Sequence, residues 1–92
     1  MPLQEMLSEL RAEDGTMVGV ASVFATGLGS KKPNDWSGYL MCPSDKPIKN
    51  GLRYRLKVPD GRCGEIRVVS VTSCDPIKTW LVTFEGLGRF GT

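Results

Sequence analysis

The run Val58-Pro59-Asp60-Gly61-Arg62 constrains the fold of this chain more than any other feature. Proline presets φ at the first corner of a type I turn, aspartate suits the second, and glycine accepts the left-handed conformation that follows. The residues before it alternate, with Leu52, Tyr54, Leu56 and Val58 on one side and Arg53, Arg55 and Lys57 on the other. That is a β-hairpin with one face buried and one in water. With Pro59-Asp60-Gly61 as a three-residue loop, Val58 faces Arg62, Tyr54 faces Ile66, Leu52 faces Val68 and Arg55 faces Glu65. Apolar then meets apolar and opposite charges meet, leaving only Arg53 against Arg67; a slip of one residue would set Tyr54 against Arg67. Past Val68 the alternation changes phase, with Val69 and Val71 in the apolar positions, which predicts a β-bulge of the kind that curves sheets into barrels.

Upstream, Leu3, Met6, Leu7 and Leu10 fall at helical spacing before Asp14-Gly15, and this predicts a short amphipathic helix over residues 2–12. A helix this short is marginal alone, so these four residues are expected to dock on the chain's own barrel or on a partner. Thr16 to Thr26 is small and β-branched, and reads as a strand buried on both faces or tightly curved, with Gly19 at a bend. Gly27 to Asp35 reads as a polar loop. Trp36 to Cys42 reads as a strand with Trp36, Gly38, Leu40 and Cys42 on one face and Ser37, Tyr39 and Met41 on the other. Pro43 to Gly51 is a further loop, Cys74-Asp75-Pro76-Ile77 a turn, and Thr79 to Glu85 a last strand with Trp80, Val82 and Phe84 inward. Five strands and many turn residues (11 Gly and 6 Pro in 92 residues) predict a mainly β single domain spanning 1–92. The expected architecture is a small, partly open five-stranded β-barrel, SH3-like or OB-like, with a β-sandwich as the alternative.

Two glycine-rich segments spell nucleotide-like motifs. Gly86-Leu87-Gly88-Arg89-Phe90-Gly91 has the G-x-G-x-x-G form, but the dinucleotide fold needs a following helix and an acid about twenty positions on. Only Thr92 follows here, so the segment reads as a glycine-rich tail, with Phe90 folding back over the barrel end. Gly27-Leu28-Gly29-Ser30-Lys31-Lys32 lacks the spacing of a phosphate-cradling P-loop and reads as a basic loop. No cofactor is expected.

Catalytic and metal chemistry find little support. The chain has no His, so a Ser or Cys nucleophile would need Lys, Asp or Glu as its base, and no spacing ties such residues together. Cys63 beside Arg62 is the one thiol with an adjacent activating charge. Cys42, Cys63 and Cys74 form no CxxC pair and are expected as free thiols in a reducing, cytoplasmic compartment. Without His they do not complete a zinc site. Asp35, Asp45, Asp60 and Asp75 all fall in turns, where Asp is expected for backbone reasons. The acidic start of the chain does not read as a secretory signal, and no run has the length of a membrane span.

Charge is uneven. Residues 1–30 hold one Arg against Glu5, Glu9, Glu13 and Asp14, whereas residues 31–92 hold eleven Lys and Arg against six acids, and the total is +2. The exposed row Arg53, Arg55, Lys57 and Arg67 could track a phosphate backbone, with Tyr39 or Trp36 as a stacking surface. As a plain reading, the same row is a solvated hairpin face, partly neutralised by Glu65. The expected function is therefore a non-enzymatic interaction module that binds another protein or its own copy, with Leu3, Met6, Leu7 and Leu10 as the contact residues. Nucleic-acid binding through Arg53, Arg55, Lys57 and Arg67 is the alternative.

Overall fold

The computed structural model describes residues 4–28, 35–43, 48–74 and 79–91. Six strands form: β1 (Gln4–Ala12), β2 (Met17–Thr26), β3 (Ser37–Pro43), β4 (Arg53–Lys57), β5 (Cys63–Cys74) and β6 (Thr79–Gly91). They close into a barrel in the order β1-β2-β3-β6-β5-β4, and every pairing is antiparallel. Two three-stranded meanders are thus joined along two seams, β1 with β4 and β3 with β6. The small, mainly β barrel is as expected, but it has six strands instead of five and is closed.

The added strand is β1, where a helix over residues 2–12 was expected. Met6, Ser8 and Leu10 point inward, while Glu5 and Leu7 are directed outward. Met6, Leu7 and Leu10 fit a helical stripe only because a serine fills one inward strand position. Ser8 is fully buried and its hydroxyl donates to the Glu9 carbonyl at 3.0 Å, so the polar side chain is satisfied without leaving the core. Pairing of Glu9–Ala12 with Tyr54–Lys57 covers the edge of β4 that five strands would leave open, and this tertiary gain overrides the local helical pattern. Leu3 lies outside the described residues.

The hairpin has the expected register, with Tyr54 opposite Ile66, Arg55 opposite Glu65 and Arg53 opposite Arg67. Val58 donates its N–H to the Arg62 carbonyl at 2.8 Å, and Gly61 donates to the Val58 carbonyl at 3.0 Å. Asp60 accepts from the Arg62 backbone N–H at 3.0 Å, the chief reason its carboxyl is held below the usual range. Gly61 sits at φ +99, and nothing lies within 4 Å of where a Cβ would be. Gly61→Val should therefore lose stability through the backbone alone, by about 1–2 kcal/mol, with Gly61→Asn milder; urea unfolding of the two variants measures both. Leu52 departs from the expected inward row: its backbone still pairs with Val68, but its side chain lies 49% exposed at the rim. The bulge falls between Val68 and Ser70 and Val71 packs against the core as expected, but Val69, expected on the apolar face, is the bulged residue and lies outside.

The core consists of Phe84, Leu10, Leu40, Leu56, Ile66, Val23, Val68 and Val82, all fully buried, with Ala21, Ala25, Cys42 and Tyr54 beside them. Each end of the barrel has its own plug. At the end where β3 stops and β4 begins, Ile48 is buried. The Lys49 N–H donates to the Tyr54 hydroxyl at 3.2 Å and ties Ile48 and Lys49 to β4. At the other end Trp36 is buried against Phe84 and Phe90, with ring centroids 5.9 and 5.1 Å away. β6 continues to Gly91 rather than ending near Glu85, so the glycine-rich segment is strand and not tail. Its glycines serve Trp36: a Cβ on Gly86 would overlap the indole, the Gly86 N–H donates to the Trp36 carbonyl at 2.7 Å, and Gly88 accepts the indole N–H at 2.9 Å.

Candidate functional site

The outside of the barrel is divided into two unlike walls. On the outer face of β1, β2 and β3, Leu7 is 61% exposed, Val20 53%, Met41 41% and Tyr39 39%. Cross-strand pairing sets them on one face: Leu7 faces Ser22, which faces Met41, which faces Leu81 of β6; one step along, Phe24 lies between Glu5 and Tyr39, and one step the other way Val20 faces Glu9. The Phe24 and Tyr39 rings stack at 5.0 Å with planes 20° apart. These residues project into water while Ala21, Val23, Ala25, Leu40 and Cys42 of the same strands fill the core. β2 is therefore apolar on both sides but buried only on one, which corrects the expectation of a strand buried on both faces. Of the four residues expected to dock, Leu7 belongs to this wall, Leu10 and Met6 face the interior, and Leu3 lies outside the described residues.

The second wall, on β4 and β5, carries the predicted basic row, but acids interrupt it. Arg55 pairs with Glu65 at 2.9 Å and Arg67 with Glu85 at 3.4 Å, and Lys57 lies opposite Glu9 across the β1·β4 seam. Among the described residues, Arg53 and Lys57 have no ion pair. The seam adds one cation that a helical reading of residues 2–12 could not place: Arg11 stands directly opposite Arg55. Arg11 is held by Glu9 at 2.8 Å and donates to the Gly15 carbonyl at 3.2 Å. Tyr39 is on the apolar wall and Trp36 is inside the barrel, so neither lies beside the basic row.

The remaining candidates do not assemble into a reactive centre. The Arg62 guanidinium turns to Asp60 at 2.8 Å and lies over the Phe90 ring at 5.6 Å, while the Cys63 thiol contacts the Gly91 carbonyl at 3.7 Å. Burial pushes the Cys42 thiol up from its ordinary pKa. Among the described residues no group of three or more His, Cys, Asp and Glu could hold a metal ion, and no helix is long and apolar enough to cross a membrane. Most of the Gly27–Lys32 loop, including both lysines, lies outside the described residues. No family model, curated protein or solved structure matches the chain.

Proposed function

We propose that the chain is a non-enzymatic interaction module that binds protein, another chain or a second copy of itself, through the apolar wall of β1, β2 and β3. The observation that carries this reading is that Leu7, Val20, Tyr39 and Met41 are all exposed on one face, with Tyr39 stacked on Phe24. Apolar area gathered in one patch marks contact surfaces, whereas single exposed apolar residues need no explanation. The row Leu7, Ser22, Met41 and Leu81 carries no charge, with Glu5 and Glu9 on either side of it on β1, so a second copy related by a two-fold axis along that row meets no like charge there. Self-association is therefore the form to test first.

Tyr39→Glu and Met41→Glu should each weaken the association by about tenfold or more, because a carboxylate would be desolvated at the contact. Met41→Glu should unfold close to the parent, whereas Tyr39→Glu also gives up the Phe24 stack and should lose about 0.5–1.5 kcal/mol of stability. Sedimentation velocity across concentration, with a pull-down from the native cell, measures the effect. A parent that stays monomeric and captures no protein would defeat the reading. Nucleic-acid binding through Arg53, Arg55, Lys57 and Arg67 is the weaker proposal, since Glu65 and Glu85 break the row a phosphate backbone would follow.

A further inference from the structure

The charged wall holds an arrangement that contact through the apolar wall leaves unexplained. Directly opposed like charges destabilise a sheet, yet two such pairs stand side by side: Arg11 against Arg55, and Arg53 against Arg67. Glutamates answer three of the four, and among the described residues Arg53 has no ion pair. Arg11, Arg53 and Arg55 line a notch of about 120 Å³ together with Ala12, Gly15 and Tyr54. Such a volume is below the roughly 300–1,000 Å³ of pockets for organic ligands.

The guanidiniums are already positioned. Glu9 and the Gly15 carbonyl brace Arg11 from one side, and Glu65 braces Arg55. Each guanidinium has five donors, so both retain N–H groups beyond those contacts. Glu13 and Glu65 also line the notch, and Glu13 makes no ion pair among the described residues. We propose that this notch binds one small oxyanion of the phosphate class, with Arg53 as the principal charge and Arg11 and Arg55 as braced donors. Planar forked donors match the oxygens of such a group. The interrupting glutamates limit the site to a single group rather than a polyanion track.

Melting of the full chain, in phosphate and in chloride at equal ionic strength and pH 7, tests the proposal together with calorimetric titration of inorganic phosphate. Phosphate should raise the melting temperature saturably. Arg53→Gln should melt at or above the parent in chloride, because it relieves the Arg53–Arg67 opposition, and should weaken phosphate binding by about tenfold or more. Glu13→Gln should tighten binding, and Arg89→Gln, outside the notch, should leave it unchanged. A phosphate shift equal in the parent and in Arg53→Gln would be a general salt effect and would overturn the proposal. So would a single-stranded oligonucleotide that binds far more tightly than phosphate, since a polyanion track would then replace the single-group site. Neither result bears on association through the apolar wall, which sedimentation of Arg53→Gln reads separately.

Discussion

Gly86→Ala is expected to destabilise the protein by about 3 kcal/mol, at the upper end of what overpacking costs. Its new methyl group would overlap the Trp36 indole, whose position is fixed from three directions. The backbone of Gly86 donates to the Trp36 carbonyl, the indole N–H is held by Gly88, and Phe84 and Phe90 flank the ring. The ring cannot yield without breaking one of these contacts or opening the barrel end. Gly88→Ala is the matched control: it sits at φ +73 with nothing within 4 Å of the added atom, so backbone strain of about 1–2 kcal/mol is its whole cost. Urea unfolding followed by tryptophan emission distinguishes the two. If Gly86→Ala is no worse than Gly88→Ala, the indole is not seated over Gly86.

Tyr54→Ala should cost about 3 kcal/mol or more, in the range of buried aromatic truncations. Tyr54 is 5% exposed within the core, and its hydroxyl accepts the Lys49 N–H, next to the buried Ile48. Truncation therefore leaves a cavity and also removes the hydrogen bond that holds Lys49 beside Ile48. The neighbouring Arg55→Ala removes an exposed ion pair with Glu65 and should cost well under about 1 kcal/mol. Thermal or denaturant melts of the pair provide the comparison, and similar losses would mean that the inward and outward faces of β4 are reversed.

The hairpin was legible because three independent signals agreed there: turn chemistry, alternation, and charge pairing across the register. At β1 they did not. Met6, Leu7 and Leu10 satisfy a period of 3.6, and the inward serine breaks the period-2 pattern that would have argued for a strand. β6 was read short for a related reason. Gly86 and Gly88 look like a breaker when only the chain near them is considered, and their purpose is apparent only once Trp36, fifty residues upstream in sequence, is set above them. The exposed half of the apolar wall was partly visible in the placement of Tyr39 and Met41 opposite Leu40. Phe24 and Val20 were not placed outside, because apolar residues on both sides of a strand look the same whether the second side meets protein or water. Arg11 could join the basic wall only after β1 became a strand.

The two seams that close the ring also determine how the chain assembles. Within each meander the pairings lie across short connections, whereas the seams bring Glu9 to Lys57 and Pro43 to Thr79, from distant parts of the chain. Loop-closure entropy is therefore concentrated in the first seam to form. Once it has formed, the strands of the other seam are held near each other, and little further ordering is needed to zip it. A barrel with one seam open would expose the edges of two strands and the core between them, with neither Ile48 nor Trp36 seated over a complete ring. Connectivity alone thus predicts cooperative folding of this small chain, because neither plugged end is complete until both seams have formed.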